Sequence, residues 1–185
     1  MEFLEQSRDS MNRGIYAYLA DTLKAQVKTL ISLQSSSGLW HTVLDDAGSY
    51  EEVSGSAGIA AGILKGVKAG ILDRSCLKPA KKAIEAVCSN ISEDGTVQNV
   101  SAGTGIGMNA QFYKDIMITP MAYGQSLTLA ALCEAVRNTR SSSTKCTSVS
   151  FAQEINGLPV GRKYRVTVFA CMGGQVGMLA VFRII

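Results

Sequence analysis

The chain has no run of about eighteen apolar residues, the length a helix needs to cross a bilayer, so no membrane span is expected. Its opening residues, Met1-Glu2-Phe3-Leu4-Glu5-Gln6, are acidic and lack an apolar core segment. No secretory signal is visible there, which leaves the compartment open. Neither sign of charge dominates. The formal net charge is +3, and the basic residues are scattered apart from Arg162-Lys163-Tyr164-Arg165. That pattern gives no electrostatic footprint for nucleic acid. The five cysteines (Cys76, Cys88, Cys133, Cys146 and Cys171) are odd in number and widely spaced. None has metal-type spacing, and no cofactor is expected. Cys88 and Cys133 fall within helical apolar patterns and read as small core residues. Trp40 is the only tryptophan and His41 the only histidine.

What is present is ordinary globular material. The 185 residues, 46% hydrophobic and 18% charged, suffice for one domain with an appendage. A unit appears twice. Its first copy is an amphipathic stretch ending in Leu30-Ile31-Ser32-Leu33, a turn at Gly38-Leu39-Trp40, a polar loop, and a small-residue run from Ser54 to Leu64. The second ends its helix at Val87-Cys88-Ser89-Asn90-Ile91 and turns at Asp94-Gly95-Thr96-Val97. It then runs through a longer loop into Tyr123-Gly124-Gln125 and Ser126 to Leu132. Gly38 and Gly95 stand 57 residues apart (95 − 38). Two helices joined by a long loop cannot bury their apolar faces alone, so the repeat predicts a stacked or closed array.

The periodicity assigns each helix a kind. Over residues 11–34, Ile15, Leu19, Leu23, Val27 and Ile31 form an i+4 ladder, the pattern of a surface helix with one buried stripe. Residues 56–69 are apolar all round, with Lys65 and Lys68 near the C-terminal end where they suit the helix dipole. Residues 79–91 return to the surface type, with Pro79 in the first turn, and residues 125–137 to the buried type. The order is surface, buried, surface, buried. Each surface-to-buried connection is long and the buried-to-surface connection is short. All long loops therefore gather at the N-termini of the buried helices, where the dipole and unpaired N–H groups favour anionic ligands.

The character changes at Arg140. Residues 140–146 read as a serine-rich linker. In the tail, 147–185, Tyr164 to Ala170 and Val176 to Ile185 suggest a β-hairpin about Met172-Gly173-Gly174-Gln175. A lone hairpin is marginal in water, so this tail needs a partner surface.

The loops carry a resemblance. Ser37-Gly38-Leu39-Trp40-His41-Thr42-Val43-Leu44-Asp45-Asp46 and Tyr50 to Gly58 resemble the C-terminal half of unsaturated rhamnogalacturonyl hydrolases, glycoside hydrolase families 88 and 105. The likeness continues through Asn90 to Ser101, Gly103-Thr104-Gly105-Ile106-Gly107, Phe112 to Ile116, and Thr119-Pro120-Met121-Ala122-Tyr123-Gly124-Gln125. It is similar above all to the fungal-type cell-wall hydrolases and covers residues 11–139. It implies a mainly α fold: a partial (α/α)6 six-hairpin toroid, about two hairpins of six, in which inner and outer helices alternate.

The resemblance also implies a reaction on oligosaccharides that bear an unsaturated uronic acid left by a polysaccharide lyase. An aspartic acid protonates the C4=C5 vinyl ether, water adds at C5, and the hemiketal collapses to release the sugar. This is hydration, not two-carboxylate displacement, and it needs one acid whose proton is available near the working pH. The family's catalytic aspartate belongs to the N-terminal half of the toroid. Asp45, Asp46, Asp94 and Asp115 do not stand in the matching motif, so the expectation is a truncated chain lacking its general acid. The alternative is a non-catalytic carbohydrate-binding or scaffolding remnant that pairs with a partner through exposed inner helices.

Seven residues are candidates for sugar contact: Trp40, Ser54, Ser56, Tyr113, Lys114, Tyr123 and Gln125. Each has a structural reading beside the functional one. Trp40 stacks on a sugar ring or plugs the space between helices. Ser54 and Ser56 face the functional end or cap the buried helix. Tyr113 and Lys114 reach the sugar or its carboxylate, or pack a loop; Tyr123 and Gln125 border the same end. Glu51 and Glu52 suit a charged cap, and His41 a solvated loop position. The glycine-rich stretch at 103–107 fits neither phosphate-binding spacing and reads as a flexible rim loop.

Overall fold

The computed structural model describes the backbone of residues 1–139, 148–155, 164–171 and 178–184, and side chains through residue 138. Six helices occupy the first part: α1 (Glu2–Gln6), α2 (Arg13–Ser32), α3 (Val53–Lys68), α4 (Leu77–Cys88), α5 (Ala110–Lys114) and α6 (Ala122–Thr139). A short antiparallel pair, β1 (Trp40–His41) and β2 (Glu51–Glu52), closes the loop between α2 and α3. Among the described residues no helix is long and apolar enough to cross a membrane.

The expected alternation is present. α2 starts where the Asn12 carboxamide oxygen accepts from the amides of Gly14 (2.9 Å) and Ile15 (3.4 Å). It buries only a stripe that includes Ala20 and Val27. α4 likewise buries one face, through Ala80, Ala83, Ile84 and Val87. α3 lies between α4 and α6 and supplies the centre of the core with Val53, Ala57, Ala60, Ile63 and Leu64, each at most 1% exposed. Ala131, Leu132, Ala135 and Val136 of α6 complete that cluster. Its alanines let the helix axes approach closely.

The repeat is reproduced bond for bond at the two turns. The Ser35 amide donates to the Leu39 carbonyl (2.9 Å) and the Gly38 amide to Ser35 (3.0 Å). In the second unit the Ser92 amide donates to Thr96 (3.0 Å) and the Gly95 amide to Ser92 (2.8 Å). Both glycines have positive φ, 106° and 87°, which L side chains rarely adopt. Gly38 carries a second constraint, because an added Cβ would lie 2.7 Å from the Lys82 carbonyl oxygen on α4. The residue two positions after each glycine is held the same way in both units. The Trp40 amide donates to Ser56 Oγ (2.8 Å), and the Val97 amide donates to Gln125 Oε1 (2.6 Å). Ser56 and Gln125 each occupy the fourth position of their helix.

One expectation needs correction. The sequence reading starts its first helix near residue 11, but α1 precedes it. Leu4 is buried with Ala20 and Ile71, Glu2 pairs with Lys65, and Arg8 Nη2 donates to the Ala69 carbonyl (2.8 Å). These contacts tie the N-terminal segment to the C-terminal end of α3 and the residues just after it. Of the two cap readings for α3, the charged one holds. It is Glu52, not Ser54 or Ser56: its carboxylate accepts from the Ser54 and Gly55 amides, and the helix therefore begins at Val53.

In the C-terminal segment, β4 (Tyr164–Cys171) and β5 (Met178–Ile184) pair antiparallel, as the hairpin reading expects. β3 (Ser148–Ile155), which that reading lacks, pairs antiparallel with the other edge of β4 to give the order β3-β4-β5. The expected linker at 140–146 and the hairpin turn at 172–175 lie outside the described residues.

Candidate functional site

The loops 33–52 and 89–121 both lead into the N-termini of buried-type helices, α3 and α6. The candidate site is the end they build. At its centre stands Glu52, 8% exposed. Glu52 Oε1 accepts from the Ser54 amide (3.2 Å), from Ser54 Oγ (2.8 Å) and from the Ser101 amide of the second loop (3.1 Å). Oε2 accepts from the Gly55 amide. A carboxylate with four donors, set at a helix N-terminus, is stabilised by charge-assisted hydrogen bonds and by the dipole. It also fills the anion position that the sequence reading leaves for a ligand at the start of α3.

Five of the seven candidates belong to the fastening of this end. Ser54 donates to Glu52 Oε1. Ser56 Oγ donates to the Glu52 carbonyl (2.6 Å) and accepts from the Trp40 amide. Tyr123 OH donates to the Ser101 carbonyl and accepts from the Gly103 amide (2.8 Å). Ser101 thus links Glu52 on one side to Tyr123 on the other. Gln125 grips the second turn at both ends, since its Nε2 donates to the Gly95 carbonyl (3.0 Å). Trp40 is 1% exposed, and its Nε1 donates to the Leu30 carbonyl at the end of α2 (2.6 Å). Its ring fills the core and offers no open face for a sugar to stack on.

The other two candidates stand at the rim. Lys114, the last residue of α5, pairs with Asp46 of the first long loop. Tyr113 OH accepts from the Gly107 amide (3.2 Å), and its ring meets Phe112 edge to face at 5.3 Å. Phe112 packs so closely under the glycine-rich loop that a Cβ on Gly107 would lie 2.1 Å from its ring. The loop is therefore pinned at Gly107, while Ile106 and Met108 on either side are almost fully exposed. His41 Nδ1 donates to the Ser49 carbonyl (2.6 Å), because a carbonyl can only accept.

The Lys114 ammonium, and after it the Gly48 amide, hold the Asp46 carboxyl below the usual aspartate range. A depressed folded-state value means that the contribution of the pair is complete above the ordinary aspartate pKa. It is lost as pH falls through the folded value. Lys114→Ala is expected to speed hydrogen exchange at the Thr42 and Val43 amides at neutral pH, while the melting temperature stays unchanged because the pair is solvent-screened. In the parent chain the same amides should lose protection, relative to the intrinsic rate at each pH, only under acid conditions, below the ordinary aspartate range. Equal exchange in parent and variant at neutral pH would show that the pair holds nothing.

Sequence reasoning missed the part played by Ser101, Asn99 and Asp46. Asn99 has positive φ (56°), and its carbonyl accepts from the Val53 amide (3.0 Å) at the start of α3. Asparagine tolerates that conformation better than other non-glycine residues, and an Asn after a turn was the signal available. Among the described residues no group of three or more His, Cys, Asp or Glu side chains is placed to hold a metal ion.

Comparison with known proteins agrees with this architecture. The chain is 39% identical over 117 residues to the unsaturated rhamnogalacturonyl hydrolase YesR of Bacillus subtilis, covering 63% of this chain and 32% of that protein. It is 36% identical over 104 residues to the unsaturated 3S-rhamnoglycuronyl hydrolase of Formosa agariphila, covering 53% and 27% respectively. The chain thus spans about a third of the length of the curated relatives it matches. A crystal structure from Salmonella enterica serovar Paratyphi A, described as a possible member of GH105 family, superposes with a TM-score of 0.72 at 42% identity. That match covers 74% of this chain and 36% of the other. The fold is a section of the six-hairpin toroid that these enzymes share. The family model for Glycosyl Hydrolase Family 88 matches residues 4–139, and the chain belongs to that family.

Proposed function

We propose that these residues form part of the sugar-binding wall of an unsaturated-uronyl hydrolase, active on lyase-generated pectin oligosaccharides by vinyl-ether hydration. In this reading the proton donor is not among the 185 residues. The observation that carries it is the state of the loop carboxylates. A general acid must hold its proton near the working pH. Asp46 is held below the usual range by Lys114, and Asp94 by the Ser92 hydroxyl and then the Thr96 amide. Both shifts run opposite to the one an acid catalyst needs. Asp115, which accepts from Gln111 Nε2 (2.8 Å), and Asp45 are both exposed.

The same observation favours a second reading, in which the chain binds such oligosaccharides without cleaving them. Lys114 and Tyr113 are the contacts proposed for both readings: a cation for the uronate carboxylate and a ring edge beside it. Trp40, Ser54, Ser56, Tyr123 and Gln125 then act one step removed, by fixing the loops that carry the wall. Titration with an unsaturated galacturonyl-rhamnose disaccharide, followed by amide chemical shifts, tests this wall. Shifts are expected in residues 42–50 and 101–115 and are expected to be lost in Lys114→Ala. Shifts that persist unchanged in that variant would remove Lys114 from the site, and no shifts at all would remove the wall.

A further inference from the structure

Residues 102–117 of the second long loop form a unit packed on itself. Its ends are closed by the Ala102 amide, which donates to the Met117 carbonyl (2.8 Å). Just outside them the Thr119 amide donates to the Val100 carbonyl (2.8 Å). Within the unit the Phe112 ring lies against Gly107, and Tyr113 OH accepts from the Gly107 amide. Asn109 Oδ1 caps α5 by accepting from the Phe112 amide (3.1 Å). None of these residues joins either cluster of the hydrophobic core. A surface loop with closed ends and side chains packed on one another can turn as one body, because turning it breaks no internal contact. Near one end stands Gly103, with φ 75° and open space where a Cβ would be, its amide donating to Tyr123 OH.

Beyond that hinge, Lys114 with Asp46 is the side-chain contact of opposite charges that ties the unit to the first long loop. Asp46 is the fixed side of the pair. Its Oδ1 accepts from the Gly48 amide (2.8 Å), and its own amide and carbonyl bond to Val43 and Ser49, which leaves Oδ2 for Lys114. Lys114 ends α5 and belongs to the unit that turns. The two side chains are 27% and 34% exposed, so an incoming anion can reach the pair. A uronate carboxylate is the same chemical group as the one Asp46 offers, and it competes for the same ammonium.

We propose that residues 103–116 are a lid latched by Lys114 to Asp46, and that the carboxylate of the uronyl ligand opens the latch by taking Lys114 from Asp46. The proposal rests on the sugar-wall reading above and gives that wall a moving part. A ligand shifts such an equilibrium only by binding one state better, and here it binds the unlatched state. The test compares the full chain with Asp46→Asn, whose carboxamide oxygen still accepts from Gly48 but offers Lys114 no charge. Residual dipolar couplings read the lid without sugar. In the parent, residues 104–115 should share the alignment of α3. In Asp46→Asn their couplings should shrink together, while those of the Ala102 and Thr119 amides stay as they were. Titration with unsaturated galacturonyl-rhamnose should then give the variant a Kd about threefold to fivefold lower than the parent's. Couplings unchanged in the variant overturn the lid and leave the wall standing. Couplings that scatter instead of shrinking together show a loop that melts, and overturn the lid too. A Kd unchanged or raised in the variant overturns the competition for Lys114. No shifts with the sugar in either chain remove the wall and the trigger with it.

Discussion

Trp40→Ala is expected to lower the free energy of unfolding by about 4 kcal/mol, the range for truncating a large buried aromatic. The ring lies in the core cluster with Val53, Ala57 and Val27, and its indole N–H closes the Leu30 carbonyl at the end of α2. Alanine leaves a cavity where the outer helix, the turn and the inner helix meet, and an unpaired carbonyl beside it. Trp40→Phe restores most of the volume but not the donor, so about 1–2 kcal/mol should remain lost. Urea unfolding measures both, with the midpoint falling and the slope constant. A loss below about 1 kcal/mol for the alanine variant would mean that the ring is not a structural plug.

Glu52→Ala is expected to cost about 3–5 kcal/mol, because it removes a helix cap and strips partners from three amides at a buried junction. Ser54, Gly55 and Ser101 lose their common acceptor, and with Ser101 goes the link to Tyr123. Glu52→Gln should cost less but not nothing. A carboxamide has one acceptor oxygen, and its NH2 group would face amide donors. Hydrogen exchange distinguishes this from general loosening. The Ser54, Gly55 and Ser101 amides should exchange faster at once, while Val97, held by Gln125 in the other unit, should change least. Uniform acceleration across both units would contradict Glu52 as the local junction.

What was legible in the sequence follows from the range of the forces involved. Helix type is a local property, and the ladder from Ile15 to Ile31 or the all-apolar run after Ser56 announces it within a few turns. The repeat was equally visible, because Gly38 and Gly95 mark turns that need positive φ. The paired fastening by Ser56 and Gln125 was harder to see, since a serine and a glutamine do the same work at the same helical position. α1 escaped because five residues carry no periodicity. Its place is fixed by Lys65 and Ala69, more than sixty positions away. The choice between the serines and Glu52 as cap was open for a similar reason: the carboxylate is needed by Ser101, and only the folded loop brings Ser101 there. Trp40 had two readings from the sequence, and its 1% exposure places the ring in the core.

The loops also show why a family motif overstates its own chemistry. Ser54, Ser56, Tyr123 and Gln125 lie in the blocks that resemble the hydrolases, yet their polar atoms are spent on backbone and on Glu52. Such residues can be essential to a sugar site without touching sugar. In the proposed wall, the residues offered to a ligand are those at the rim, Lys114, Tyr113 and the exposed Ile106 and Met108.

The central claim is that this chain supplies wall but no acid. It is tested most directly by incubating the purified chain with lyase-treated rhamnogalacturonan and following release of unsaturated galacturonic acid. No release above the enzyme-free rate is expected at any pH at which the chain is folded. Sustained release would contradict the account and would make one of the loop carboxylates, Asp45, Asp46, Asp94 or Asp115, the proton donor.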